Sequence, residues 1–185
     1  MDRRWVLLTL ATAPLAFARA EAANKKFVLA EEYMPQLVDV DADVAIGTIL
    51  IDPAKRFLYL VEATGVARRY GIGVGRAGLA FRGTAEVGRK AKWPSWRPTD
   101  NMIRRNPKKY SRYAAGMKGG PGNPLGSRAL YLYRDGRDTL YRIHGTTEPW
   151  TIGKAVSNGC IRMLNEHVED LFERVPVGAQ VVVLQ

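Results

Sequence analysis

Between residues 47 and 74 the chain has room for strands and tight turns and for little else. Residues 47–51 (Gly-Thr-Ile-Leu-Ile) and 56–61 (Arg-Phe-Leu-Tyr-Leu-Val) are short runs of β-branched and aromatic residues, with Asp52-Pro53-Ala54-Lys55 between them. Residues 66–74 make a third run. Such runs, parted by turn residues, predict strands, and a hairpin meander is the simplest topology that joins them. The pattern returns in residues 129–133 and 139–143 around Asp135-Gly136, and again in residues 179–184. Residues 166–174 read as a helix, with Asn165 as the expected N-cap and Val168, Leu171, Phe172 and Val175 on one face. Residues 106–117 hold one short helix, because Tyr110, Tyr113, Ala114 and Met117 fall at helical spacing; the rest of residues 75–128 reads as long loops. Eighteen glycines and ten prolines in 185 residues exclude a helical bundle, and the length fits one domain with a real core. The expectation is a mainly β domain with one or two short helices.

Residues 1–22 are a different object. Arg3 and Arg4 precede an apolar run from Trp5 to Phe17, and Ala18-Arg19-Ala20 and Ala20-Glu21-Ala22 are small-x-small sites. This predicts a secretory signal peptide, with an adjacent arginine pair of twin-arginine type, and hence an exported, periplasmic protein. The run is shorter than the roughly 20 residues that a spanning helix needs. Residues 23–44 read as a lead-in of little pattern, and residues 45–185 as the working domain. The net charge of +10 fits either plain solubility or attraction to a polyanion such as a cell wall. Nucleic acid is not expected, since no recognition motif accompanies the charge.

Export sharpens the meaning of the one cysteine, Cys160, which cannot form a disulfide within the chain. It closes Ser157-Asn158-Gly159-Cys160, and one of only two histidines, His144, lies sixteen residues upstream. A thiol needs a base or a cation to become a nucleophile, and His144 can take its proton and return it to a leaving group. Gly159 lets the backbone pass close to a bound carbonyl, and the N–H groups of Gly159 and Cys160 are candidate oxyanion donors. Arg162 adds positive charge and could hold a substrate carboxylate. Ser157 reads as a turn hydrogen-bonder. Each piece alone has a blander reading as core, turn or surface residue; the arrangement is the signal. Trp96 and Trp150 are candidates for a substrate groove, with packing as the alternative. Tyr110 and Tyr113 are expected to pack over the site. His167 reads as a surface or helix-face residue. A zinc site from Cys160, His144 and His167 fits no common ligand spacing, so no metal and no cofactor are expected.

Three segments, Ile143-His144-Gly145-Thr146, Ile152-Gly153 and Ser157-Asn158-Gly159-Cys160-Ile161-Arg162-Met163, resemble the signature of the L,D-transpeptidase catalytic domain. Upstream, Gly71-Ile72-Gly73-Val74-Gly75, Trp93-Pro94-Ser95-Trp96-Arg97-Pro98 and the glycine-proline loop from Gly119 to Gly126 are similar to further elements of that family, so the likeness runs over about residues 45–185. It implies a β-sandwich of mixed sheets. It implies Cys160 as nucleophile, His144 as proton acceptor and donor, the Gly145 carbonyl orienting the His144 ring, and Arg162 in support. The implied substrate is a peptidoglycan stem tetrapeptide, acylating Cys160 with release of D-alanine; an amine of another stem, or of a wall-attached outer-membrane protein, then takes the acyl group. A monomer is expected. Hydrolysis of the same acyl-enzyme, an L,D-carboxypeptidase activity, and a non-catalytic wall-binding domain are the alternatives. The chain departs from the family at Asn158, where a second histidine is usual.

Overall fold

A computed structural model describes residues 27–77, 79 and 81–184, so the expected signal peptide over residues 1–22 lies outside the described residues. The elements in chain order are β1 (Gln36–Asp39), β2 (Ile49–Asp52), β3 (Phe57–Ala63), β4 (Val66–Gly71), β5 (Val74–Gly75) and β6 (Gly83–Lys92), then α1 (Asp100–Arg105) and α2 (Pro107–Tyr110). They continue with β7 (Arg128–Arg134), β8 (Arg137–His144), β9 (Ala155–Ser157), β10 (Ile161–Arg162), α3 (Asn165–Arg174) and β11 (Gln180–Val183). Nine strands form one mixed sheet in the order β1-β4-β3-β2-β11-β6-β7-β8-β10, and β5 pairs with β9 in a small parallel sheet. The fold is therefore mainly β with mixed sheets and short helices, as expected.

The meander β2-β3-β4 is antiparallel throughout. The third run stops being one strand at Gly71: Val74 and Gly75 leave the large sheet and join β9. Around Asp135-Gly136 the β7–β8 hairpin closes with both residues at positive φ, the twist that a two-residue turn between right-twisted strands demands. Residues 23–44 are not patternless in their described part, because β1 pairs with β4 at the sheet edge, and Tyr33 packs its ring on Phe57.

Three expectations are corrected. The segment 75–128 is not mostly loop: β6 runs for ten residues and sits between β11 and β7. Only Ala85 and Val87 point inward at two-residue spacing, and Arg89, Lys90 and Lys92 follow, so its apolar signal is faint. The single helix expected over residues 106–117 is instead α1, α2 and a 3-10 turn at Ser111–Tyr113. Thr99 caps α1 through its hydroxyl and Asn106 caps α2 through its side chain, with Pro107 at the first position of α2, so each turn is started separately. Finally, Asn165 does not cap α3. Leu164 holds the cap position without a side-chain bond, and Asn165 Oδ1 turns away to accept from the N–H groups of Ser127 (3.2 Å) and Thr146 (3.1 Å).

One core cluster gathers Ile49, Leu58 and Tyr70 from the meander, Leu130, Leu132 and Ile143 from β7 and β8, and Val168, Leu171 and Phe172 from α3. Both halves of the long sheet thus contribute to one interior, which requires the sheet to fold over on itself. Ile161 and Met163, either side of Arg162, are buried in the same cluster and anchor the residue after the cysteine and its successor.

Candidate active site

Strands β8 and β10 run parallel, with Ile143 beside Ile161 and His144 beside Arg162. The other edge of β10 is closed by Gly73, which exchanges backbone hydrogen bonds with Arg162 at 2.9 and 2.8 Å. Because β10 is held on both sides, the turn that precedes it presents Cys160 at a fixed place. That turn is built by Ser157: its hydroxyl donates to the Cys160 carbonyl (2.7 Å) and accepts from the Gly159 N–H (3.1 Å). Gly159 has φ +130°, and a Cβ there would lie 2.6 Å from the Leu79 carbonyl oxygen and 2.7 Å from the Tyr141 ring. Both the backbone angle and the space require glycine.

Cys160 and His144 line one cavity of about 270 Å³, together with Trp96, Tyr110, Asn158 and Arg162. His144 is 4% exposed, and its Nδ1 lies 2.5 Å from the carbonyl oxygen of Gly145. A carbonyl only accepts, so Nδ1 carries the proton and Nε2 keeps the basic lone pair. Burial lowers the His144 pKa to about 4; the Gly145 bond opposes this, while the charges of Arg162 and Arg142 add to it. The Cys160 thiol is half-buried and lies 3.9 Å from the Leu140 carbonyl. Burial raises its pKa, against the pull of the Arg142 N–H and the charges of Arg142 and Arg162. At neutral pH the cavity therefore presents a thiol and a neutral imidazole.

The remaining expected residues divide. Gly159 is not a free oxyanion donor, because its N–H is taken by Ser157; the N–H of Cys160 is left for that role. Arg162 is engaged through Nη1, which is paired with Glu148 at 2.6 Å and reaches Thr151 at 3.3 Å. Trp96 meets Tyr110 and Tyr113 edge-on at the cavity wall, whereas Trp150 is 53% exposed and lines a separate, neighbouring groove. Asn158 bridges two elements, accepting from Arg76 (2.9 Å) and donating to the Tyr110 hydroxyl (3.0 Å). His167 is not at the surface: it is 4% exposed and stacked obliquely against Tyr70, outside the cavity.

Sequence reasoning passed over Arg142, Leu140 and Glu148. Arg142 lies two residues before His144 on the same strand face, a period-2 signal that was available. It is held bidentately by Asp138 at 2.8 and 2.9 Å. Leu140 adopts φ +65° where the register of β8 slips against β7, and this bulge turns its carbonyl toward the thiol. Nothing in the sequence announces that.

Residues 46–183 match the profile of the YkuD family, the L,D-transpeptidase catalytic domain. Among curated proteins, the chain is 34% identical to the Probable L,D-transpeptidase ErfK/SrfK of Escherichia coli K12, covering 82% of this chain and 48% of that protein. It is 35% identical to Probable L,D-transpeptidase YbiS of the same organism, covering 80% and 47%. The chain thus spans about half the length of these relatives. A crystal structure from Brucella melitensis, described as a probable carnitine operon oxidoreductase, is 56% identical over 84% of this chain and 96% of that one, with a TM-score of 0.58. L,D-transpeptidase 3 of Mycobacterium tuberculosis shares the fold at a TM-score of 0.53 and 17% identity, over 75% and 60% of the two chains.

Proposed function

The chain belongs to the L,D-transpeptidase catalytic domain family, and on that premise we propose that it is a cysteine acyltransferase acting on peptidoglycan stem peptides. The observation that carries the reading is the shared cavity of Cys160 and His144, with Nδ1 of the histidine tied to Gly145 so that Nε2 is the base. In the forward step Cys160 Sγ attacks the carbonyl carbon of the bond between the L-centre of the diamino acid and the terminal D-alanine, and Nε2 takes the thiol proton. The tetrahedral oxyanion meets the Cys160 N–H. Collapse breaks the C–N bond, the Nε2 proton passes to the departing amine, and D-alanine leaves a thioester behind. An amine of a second stem then attacks that carbonyl, gives its proton to Nε2, and expels the sulfur, which recovers the proton. Arg142 and Arg162 supply positive charge beside the sulfur as it becomes anionic.

Arg162 and Glu148 also brace the turn after β8, because Glu148 follows His144-Gly145 closely while Arg162 follows Cys160. The pair therefore ties the base-bearing and the nucleophile-bearing segments together. Residues 45–185 form the catalytic unit in this proposal. The charged and apolar pattern of residues 1–22 supports export across the cytoplasmic membrane, to the side where such a substrate lies. It acts as a monomer, and Asn158 does structural work in place of a second imidazole.

The test is incubation of the purified protein with a disaccharide-tetrapeptide, followed by mass spectrometry of the products. Cross-linked dimer with free D-alanine is the expected result; tripeptide and D-alanine alone would establish the hydrolase instead. Absence of both products, with no covalent adduct on Cys160 from a carbapenem, would reject the enzyme. Cys160→Ala is expected to abolish turnover while leaving the fold intact.

A further inference from the structure

The sulfur of Cys160 faces a stretch of β8 that leaves the regular ladder. Tyr131 pairs with Arg142 and Tyr133 with Asp138, so Thr139, Leu140 and Tyr141 stand against Leu132 alone. In the middle of this bulge Leu140 has φ +65°, a conformation that is strained for a leucine. Its side chain is 60% exposed, so burial does not offset the strain. The two side chains that precede it hold the conformation instead. Asp138 Oδ1 accepts from the Leu140 N–H at 2.8 Å, and its two oxygens accept from Arg142 Nη1 and Nη2 at 2.8 and 2.9 Å. Thr139 Oγ1 accepts from the Tyr141 N–H at 3.2 Å and donates to the Leu132 carbonyl at 2.6 Å. A strained turn fixed from several directions beside a reactive group is a pattern of functional sites.

Three consecutive residues of the bulge meet the cysteine turn. The Leu140 carbonyl oxygen lies 3.9 Å from Sγ. The Tyr141 ring walls Gly159, and its hydroxyl donates to the Leu79 carbonyl at 3.2 Å. The N–H and the guanidinium of Arg142 face the sulfur, and the guanidinium also lies over the Tyr131 ring at 4.3 Å. Asp138, Thr139 and Leu140 do not line the cavity that holds Cys160 and His144. We propose that Asp138 and Thr139 are positioning residues for the nucleophile: they hold the bulge in the shape that brings the Leu140 carbonyl and the Arg142 N–H to the sulfur. The inference rests on the acyltransferase reading and concerns how its thiol is presented. While the sulfur carries its proton it donates to the Leu140 carbonyl; once His144 has taken the proton, the thiolate accepts from the Arg142 N–H. If the bulge relaxes, the sulfur stays buried but loses that donor and the aligned guanidinium, and both losses disfavour the anion. The charge of Asp138 taken alone acts the other way, since a carboxylate near the sulfur also disfavours the thiolate. Positioning and plain electrostatics therefore predict opposite signs for removal of Asp138. The other ionisable groups around the sulfur are Arg142 and His144 from β8, Arg162 from β10, and Lys109 and Glu148 in the cavity wall, and Thr139→Val alters none of them.

The experiment reads the thiol without turnover. Cys160 is the one cysteine of the chain, so alkylation by iodoacetamide reports it alone. The alkylation rate is followed across the pH range in which thiols ionise. Thr139→Val keeps size and charge and removes the hydroxyl; its profile should move to higher pH. Asp138→Ala should move in the same direction although it removes a negative charge. Thr139→Ser keeps the hydroxyl and should restore the parental profile. Asp135→Asn, which removes a carboxylate from the exposed β7–β8 turn, should leave the profile in place. With a stem tetrapeptide, Thr139→Val and Asp138→Ala are expected to lower kcat for D-alanine release by about tenfold, with KM little changed because neither residue lines the cavity. Asp138 is exposed, so Asp138→Ala decides the matter even where Thr139→Val does not fold. A parental profile for Thr139→Val, or a shift to lower pH for Asp138→Ala, overturns the assignment. If the profiles move as expected but the parent protein releases no D-alanine, the acyltransferase reading fails while the positioning of the thiol stands.

Discussion

Asn165 is the residue on which the site's geometry leans hardest from outside. Its Oδ1 accepts from two backbone N–H groups, those of Ser127 and Thr146, and both of these residues are buried. Thr146 follows Gly145, whose carbonyl fixes the His144 ring. Asn165→Ala leaves two buried donors unpartnered, and each orphaned donor costs about 1–3 kcal/mol. Asn165 is itself half-buried, so water can reach part of the gap. The expected loss is then about 2–4 kcal/mol, and for a domain of this size that lowers Tm by roughly 5–12 °C. Loosening Gly145 should also cut turnover by about tenfold or more, since small displacements of a catalytic base are expensive. The control is Asn165→Asp. It keeps an oxygen acceptor in place and puts a negative charge in the first turn of α3, which is favourable by about 0.3–1 kcal/mol. Thermal unfolding by circular dichroism, beside D-alanine release, reads both effects. A Tm within about 2 °C of the parent for Asn165→Ala, or an equal fall for Asn165→Asp, would refute the reasoning.

Acid should weaken the fold through His144. Its pKa is about 4 in the folded chain against 6.5 ordinarily, so the unfolded chain binds more protons between those values. Stability is full above about pH 6.5 and is lost as pH falls toward 4, by about 3 kcal/mol in total, and buried His167 is shifted the same way. Urea unfolding at pH 7 and 4.5 should show this, with a shallower dependence for His144→Gln; an unaltered dependence would exclude His144 as the source. Lys90 donates to the carbonyls of Phe172 and Val175 (2.6 Å for the latter) and so closes the C-terminal end of α3. Lys90→Met should destabilise by about 1–3 kcal/mol in chemical denaturation, and no change would mean that water replaces the ammonium. Gly159→Ala should abolish carbapenem labelling of Cys160, because a Cβ strikes the Leu79 carbonyl and the Tyr141 ring; labelling at the parental rate would show that the turn can move. Glu148→Gln removes the negative partner of Arg162 and should slow acylation while leaving Tm nearly unchanged, as measured by the D-alanine burst.

The meander, the β7–β8 hairpin and α3 were legible because each has its own local pattern: strand runs bounded by turn residues, a turn sequence, one apolar helix face. Cys160 and His144 were legible as candidates because their residue types, their spacing and the flanking glycines form one arrangement. β6 was not legible. Its place between β11 and β7 comes from partners far away in the chain, and its own apolar content is two residues. Asn165 shows the limit from the other side. Its type and position fit an N-cap, but two orphan N–H groups brought alongside by β7 and β8 make a stronger claim on its oxygen.

The sequence by itself therefore determined the class of fold and singled out Cys160 and His144 as candidates, since both follow from residue types acting over a few positions. The tertiary structure alone decided what surrounds them. It engaged Arg162 with Glu148, closed the Gly159 N–H with Ser157, and bent β8 at Leu140 toward the sulfur. It also collected Arg76, Arg105, Lys109 and Lys154 on one groove from segments up to 78 residues apart. Hydrogen-bond partners and summed charge depend on distances in space, and those are set only when the sheet has closed on its core.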